Sequence, residues 1–509
     1  MGANGSLAVF AILLAWYTLL TDERRVDFKL RISNKYISLI GFIVAIILIV
    51  IYSKVLLSII PVKPIPWVLG FNEDTLAFTC LCIIVILFGL KILGKKIPKA
   101  NLRKWIIVSE KYLRAKKFEQ LGYLFEKYHE QLFGIINHDK WYIRIHYYLS
   151  PGLMQMIGGK RIRFKRSKAL LSKLFPYKDK GKESIQLNIS KILKSKSFAH
   201  HLIDAHPHVA MKATCLRFRD NEEYNTNFFT YLISNQNSMF YRELRDNQNR
   251  SFTGEYALDE TNPFLNFFLS DISTAINVGI WKPLGDYLVS YIRKQGGNSG
   301  FYNQSDNNFS SSDERWECPI FVGLTFFDVM VSTAIFQRSK NHMWLMYYRS
   351  FLEEVLKSRE VTGEVDLYRE FPVRFDYLIF ELVYNCNVWV GAAEHLSYDG
   401  ISLDEVMLSP EYKATTTLGG MMYVIITSEK LHENQKEYLL DIVIKRMSSL
   451  DKVNKSFYAK EIFNNLIRPS SFSAVDTNAV KELRKLYRGI DHFLKSGSST
   501  FEVELSKIP

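Results

Sequence analysis

Three long apolar runs fall within the first hundred residues of the chain, at about 6–21, 36–60 and 76–93. A helix needs about 20 apolar residues to cross the hydrocarbon core of a bilayer. The second run has Lys54 as its only charge, whereas the first is short for a span and could be a signal peptide. It has no basic segment before it and no small-residue cleavage site after it, which favours a retained anchor. We therefore predict a transmembrane region over residues 1–100 with three helices.

The basic residues between these runs predict an orientation. The connection at 22–35 has five, the connection at 61–75 has one, and five more follow the third run before Trp105. Lys and Arg are retained on the cytoplasmic side of a membrane. We expect an integral protein of the inner (cytoplasmic) membrane with its N-terminus outside and the body after residue 94 in the cytoplasm.

From Trp105 onward, apolar residues recur every three or four positions, which is typical of amphipathic helices. Helix boundaries are marked by Asn262-Pro263 and Lys282-Pro283, and a final helix is predicted over 477–495. The polar stretch at 297–316 is rich in Gly, Ser and Asn and predicts a linker. The predicted fold is all-α: three N-terminal transmembrane helices, then a large cytosolic helical domain with lobes at 101–296 and 317–509.

A further apolar stretch, Pro319 to Phe336, has Asp328 as its only charge. Its length permits a fourth span. Basic residues do not flank it asymmetrically, and Gly, Thr and Ser are scattered through it. We interpret it as a buried core helix.

Charge is concentrated in one part of the predicted body. The whole chain carries +13, while residues 158–196 alone contain 13 basic and 2 acidic residues. Alternation at 161–165 would place several cations on one face of a strand. An anionic lipid leaflet and a nucleic acid are both candidate partners, and a solvated surface paired with acids elsewhere is the third interpretation. The candidate polyanion-binding residues are Lys160, Arg161, Arg163, Lys165, Arg166 and Lys168.

Other candidate chemistry is weak. Gly89 to Lys96 has the glycine and lysine spacing of a phosphate-binding loop, but it ends in lysine instead of a hydroxyl residue and follows no strand. His200, His201, His206 and His208 with Asp204 are possible zinc ligands, although no second ligand pair accompanies them. A pH-sensitive or hydrogen-bonded cluster and an ordinary capped helix end are the alternatives. The five cysteines are isolated, which fits a reducing compartment. We assign no catalytic residue, metal or cofactor.

These patterns favour a membrane-anchored, non-enzymatic sensor or effector whose helical lobes bind a partner or ligand and signal to, or perturb, the inner membrane. The expected partners are the lipid bilayer and a protein partner or a second copy, with nucleic acid or anionic lipid at the basic segment. One alternative is a membrane-tethered scaffold that holds nucleic acid or a soluble enzyme through that segment. Another is a helical metal-dependent enzyme centred on His200 to His208.

Overall fold

The computed structural model describes residues 18–51, 73–93, 96–149, 179–218, 221–246, 256, 258–297, 300–305, 308–340, 343–361, 369–398, 400–468, 470, 473–490 and 499–508. Within these ranges the regular structure is helical, and the only β feature is an isolated bridge between Ser305 and Val373. The all-α prediction is confirmed. The chain forms two compact units, Met1–Tyr224 and Asn225–Pro509.

Unit 1 holds the N-terminal helices and the first part of the predicted body. Its described helices are α1 Asp22–Arg31, α2 Asn34–Ile51, α3 Glu73–Leu93, α4 Leu102–Arg114, α5 Phe118–Asn137, α6 Trp141–Leu149, α7 Lys180–Leu193, α8 Lys196–Ala205 and α9 Pro207–Thr214, and α10 Asn221–Ser234 contains the division between the units. The aromatic core is formed by Trp105, Phe125 and Phe198, with ring centroids 5.8 and 5.3 Å apart.

The apolar helices α2 and α3 pack against each other, with Ile47 and Ile84 buried where they meet. Helix α1 precedes α2 at a bend of 87° and lies against α5 and α4 instead of continuing the apolar helix. The charged sequence of α1 explains the bend, because Asp27 bonds to Lys127 and Arg31 bonds to Tyr128 on α5, and an apolar surface would not supply such partners.

Unit 2 is built from shorter helices around aromatic side chains. Its described helices are α11 Met239–Asp246, α12 Pro263–Leu269, α13 Ile272–Val278, α14 Trp281–Lys294, α15 Pro319–Phe336, α16 Met346–Ser358, α17 Arg374–His395, α18 Leu403–Val406, α19 Pro410–Thr427, α20 Glu433–Lys452, α21 Ser456–Leu466, α22 Thr477–Gly489 and α23 Ser499–Ser506. The division into units falls after Tyr224. Tyr302 and Phe309, within the polar stretch 297–316, are buried in unit 2.

One helix in the described part of the chain is long and apolar enough to cross a membrane by itself, α15, and 89% of it is buried inside the protein. Its Asp328 accepts a hydrogen bond from Trp389 Nε1 at 2.7 Å. This burial fits a core helix. The pair α1 and α2 passes the same test only as one bent span, and Phe78–Leu87 is a shorter apolar helix. Most of the predicted first span and the end of the second, 52–60, lie outside the described residues.

Candidate functional site

The six candidate polyanion-binding residues, Lys160 to Lys168, lie outside the described residues, so that prediction stays a prediction. The end of the basic segment is described and forms α7. Lys182 pairs with Asp139 at 2.7 Å, Lys191 with Glu110 at 3.4 Å and Lys194 with Glu223 at 3.2 Å. These three lysines therefore have acidic partners within unit 1.

A group of charged and polar side chains joins α1 to α5, and we call Asp27, Arg31, Lys127 and Tyr128 the α1–α5 polar cluster. Asp27 is paired with Arg31 Nη2 at 2.7 Å and with Lys127 Nζ at 2.7 Å. The Tyr128 hydroxyl donates to Asp27 and accepts from Arg31 Nε, the latter at 3.1 Å. The Asp27 carboxylate thus has three donors, and two of them come from α5.

Burial makes this cluster sensitive to substitution. Asp27 is 6% exposed, Arg31 5% and Tyr128 0%. Burial, followed by the hydrogen bond with Asp27, raises the pKa of the Tyr128 phenol, so it remains a donor at neutral pH. Losing one partner of a buried ion pair leaves an uncompensated charge, which typically costs about 3 to 5 kcal/mol. Removing one of the buried charges should therefore weaken the connection between α1 and α5.

The segment after α3 also forms hydrogen bonds with the C-terminal end of α1. The Asn101 side chain is 2% exposed and donates to the Leu30 carbonyl at 2.8 Å and the Ile32 carbonyl at 2.7 Å. Leu30 is in the last turn of α1 and Ile32 is the residue after the helix, where intrahelical donors run out. Lys104 Nζ also donates to Asn34 Oδ1, at the start of α2, at 3.1 Å. The start of α2 and the end of α1 are therefore both hydrogen-bonded to the segment that follows α3.

Four histidines meet where α8 and α9 pack on α5. The His201 and His206 ring centroids are 6.4 Å apart, and those of His129 and His208 are 5.6 Å apart. His206 Nδ1 lies 3.2 Å from Glu126 Oε2, and Lys212 Nζ lies 3.2 Å from His129 Nε2. The approach is close, because a Cβ on Gly122 would lie 2.9 Å from His206 Nε2. Sequence reasoning found the α8 and α9 histidines but not His129.

Burial lowers the pKa of His206 and of His208, and this favours neutral imidazoles. Glu126 opposes the shift at both, while the neighbouring His201, His129 and Lys212 reinforce it. No group of three or more His, Cys, Asp or Glu side chains in the described part of the chain is arranged to hold a metal ion. The cluster can instead respond to protonation.

Unit 2 contains a cavity of about 210 Å³ between α17 and α20. Phe371, Phe380 and Tyr438 line it, and the last two rings are nearly parallel at 20° with centroids 6.1 Å apart. The side chains of Asn434 and Arg369 are also at its wall. Aromatic faces with a few polar groups are typical of small-ligand sites. This cavity can accept one flat or apolar group.

The buried thiols of unit 2 are poorly suited to nucleophilic chemistry. Burial raises the pKa of Cys318 to about 11 and raises that of Cys386 as well, so both are protonated thiols at neutral pH. Because the thiolate is the reactive form, these cysteines are packing residues.

Sequence reasoning missed the α1–α5 polar cluster, since Arg31 was counted only as a basic residue of a loop. The spacing of Asp27 and Arg31, four residues apart, could have predicted a helix with an internal ion pair. Lys127, the partner of Asp27 on α5, is 100 residues from it, and one sequence gives no signal for that contact.

Comparison of the chain with protein-family models, curated proteins and solved structures finds no match.

Proposed function

We propose that this protein is a membrane-anchored, non-enzymatic sensor or effector, whose helical body binds a partner or ligand and acts on the inner membrane through its N-terminal helices. The α1–α5 polar cluster is the observation that carries the proposal. It connects the charged helix before the apolar pair α2 and α3 to the helical body by buried charges. A change in the position of α5 would therefore be passed to α1 and to the apolar helices.

The surface of the α2 and α3 pair supports membrane anchoring. Large apolar side chains on both helices are more than half exposed, which in water would expose a contiguous apolar patch. In a bilayer the same side chains would contact lipid acyl chains. The most exposed apolar side chains of α2 and α3 are Phe42 at 65%, Leu90 at 63%, Ile49 at 60%, Ile86 at 60% and Ile37 at 56%.

The packing of α1 also supports the proposed orientation, with the N-terminus outside and the body in the cytoplasm. Residues 22–31 lie against α5, so the first connection and the body share one side of the apolar pair. Arg31 is neutralised by Asp27 within the protein, and Arg24, Arg25, Lys29 and Lys35 remain as the basic residues of that connection. A cytoplasmic location is the one that positive residues in short connections favour.

The cavity between α17 and α20 supports the sensor half of the proposal, because it offers the body a place for a small ligand. A homo-oligomer would supply the effector half, since short or mismatched spans favour association of helices in the bilayer.

The test is to overproduce the full chain and measure membrane potential, resistance of the membrane fraction to alkaline carbonate, and mass in detergent. We expect carbonate resistance, depolarisation and an oligomer. Asp27→Asn should abolish depolarisation while the protein stays in the membrane, because it removes the buried carboxylate charge that Arg31 and Lys127 share, and losing one charge of a buried ion pair costs about 3 to 5 kcal/mol.

Asp22→Asn is the matched control, since Asp22 lies on the same helix with its side chain 82% exposed. An intact potential together with a monomer in detergent would remove the effector function. Release by carbonate would remove the membrane anchor itself.

A further inference from the structure

A groove of about 770 Å³ runs between α4 and α7 in unit 1. Ile107 on α4 and Leu187 on α7 line it and are 67% and 74% exposed. Single exposed apolar residues are ordinary on a protein surface. Here two of them face one groove from two helices, which gives the groove an apolar wall that water solvates poorly.

Asn188 adds an unsatisfied polar atom to the same groove. It is 3% exposed, and its Oδ1 accepts from Ser109 Oγ at 3.0 Å. Its Nδ2 is buried without a hydrogen-bond partner in the described part of the chain. Reversing the amide would satisfy Nδ2 and leave Oδ1 over, so one atom is unpaired in either assignment. A buried amide atom without a partner is costly, and a ligand atom in the groove would relieve that cost.

The charged residues of the groove are mostly basic. Arg103, Lys191 and Lys194 line it against one acid, Glu110. Lys191 lies 3.4 Å from Glu110 and Lys194 lies 3.2 Å from Glu223, while Arg103 has no ion pair within the described residues. The Arg103 guanidinium therefore leaves a positive charge beside the apolar wall, which matches an anionic amphiphile better than a neutral apolar molecule.

The groove begins beside the apolar helices. Arg103 is the second residue of α4, and the next residue, Lys104, donates to Asn34 at the start of α2. If α2 and α3 cross the bilayer, Arg103 lies at the level of the lipid headgroups. This step rests on the membrane anchor of the proposed function.

We propose that the groove between α4 and α7 binds one anionic phospholipid of the cytoplasmic leaflet. An acyl chain contacts Ile107 and Leu187, and the phosphate lies between Arg103 and Lys191. An ester or glycerol oxygen pairs with the Asn188 amide.

The test uses the purified full chain in phosphatidylcholine nanodiscs that contain increasing fractions of phosphatidylglycerol with a photoreactive acyl chain. Cross-linked peptides are mapped by mass spectrometry, and we expect saturable labelling of the peptides that span 103–110 and 184–194. Leu187→Glu should weaken the apparent affinity about tenfold, equal to about 1.4 kcal/mol. Arg103→Glu should weaken it more than about fivefold, because the loss of one basic residue near an anionic surface accounts for about 1 kcal/mol and the new carboxylate is repelled.

Two controls match these variants in residue type and exposure. Arg217→Glu changes an exposed arginine of unit 1 that, in the described part of the chain, neither lines the groove nor pairs with a residue that does, and Leu403→Glu changes a 55% exposed leucine of unit 2. Neither should alter labelling. Unlabelled phosphatidylglycerol should compete, and phosphatidylcholine should not.

Labelling confined to α2 and α3 would overturn the groove site while leaving the anchor intact. No labelling of α2 or α3 would instead remove the anchor. Equal competition by phosphatidylcholine would exclude recognition of the anionic headgroup.

Discussion

Asp27 in unit 1 and Asp376 in unit 2 are both buried and ion-paired, but they connect parts of the chain that lie at different distances in the sequence. In unit 2, Asp376 receives a two-pronged bond from Arg359, at 2.6 and 3.1 Å, and caps the start of its own helix through the Val373 amide at 3.1 Å. In unit 1, Asp27 has partners on its own helix and on α5. Arg359 and Asp376 are 17 residues apart in the sequence, whereas Asp27 and Lys127 are 100 residues apart.

The two aspartates differ in the segments that their ion pairs connect. The Arg359–Asp376 pair joins the residue after α16 to the first turn of α17, where Phe375 also packs against Tyr302. The α1–α5 polar cluster joins a short charged helix to a body from which it is separated in sequence by both apolar helices. We therefore expect unit 2 to depend most on apolar packing and the junction in unit 1 to depend most on polar contacts.

The largest expected effect breaks the packing of unit 2. Trp389 is 1% exposed, its ring centroid lies 4.5 Å from that of Tyr348, and it donates to Asp328. Trp389→Ala should lower the free energy of unfolding of unit 2 by about 3 to 5 kcal/mol, because a large core side chain is lost. Hydrogen exchange measured by peptide would show faster exchange in α15, α16 and α17.

Trp141→Ala is the control, because it is the same substitution at a tryptophan that is 67% exposed. It should leave exchange in unit 2 unchanged. If Trp389→Ala accelerated exchange no more than this control, the contrast between the two units would be wrong.

A smaller effect should sharpen the contrast in unit 1. Asn101→Ala removes the donor to the Leu30 and Ile32 carbonyls and should destabilise the junction by about 1 to 3 kcal/mol, the usual cost of buried groups left without a partner. Faster hydrogen exchange should appear in α1 alone. Asn101→Asp keeps the size and should destabilise α1 at least as much as Asn101→Ala, because a buried carboxylate would face two carbonyl oxygens. Protection retained in either variant would show that these hydrogen bonds are dispensable.

Local patterns in the sequence predicted helix starts well, and helix ends and long-range contacts poorly. The starts at Asn262-Pro263 and at residue 477 are confirmed, but α22 ends at Gly489 and Ile490 is extended, before the predicted end at 495. Such signals depend on neighbouring residues only. The capping acceptor for α12 is instead Glu243, whose carboxylate accepts from the Phe264 and Leu265 amides.

The same limit explains the candidate sites. Glu243 precedes the helix that it caps by about twenty residues, and Lys127 is farther still from Asp27. A single sequence contains no signal that two such distant positions are in contact. Charge density did predict a basic segment, but pairing with Asp139, Glu110 and Glu223 along α7 depends on three separate elements that only the fold brings together.

The smallest expected effect is a pH dependence confined to unit 1. The folded-state pKa values of His206 and His208 are lowered by burial, so the unfolded chain binds protons more readily there. Stability contributed by these neutral imidazoles is present above their ordinary pKa near 6.5 and is lost as the pH falls towards the lower folded values. Glu126 reduces the loss at His206, while Lys212 and His129 increase it at His208.

Hydrogen exchange between pH 7.5 and 5.5, corrected for the intrinsic rate, should therefore show protection of α8 and α9 falling as the pH falls, while α15 and α17 stay protected. His208→Gln should flatten this response, because an amide does not titrate. An equal loss of protection in both units would mean that acidification acts on the whole chain and not on His206 and His208. Since α5 carries His129 on this cluster and Lys127 on the other, a response that extends to α1 would identify α5 as the element through which the two clusters are coupled.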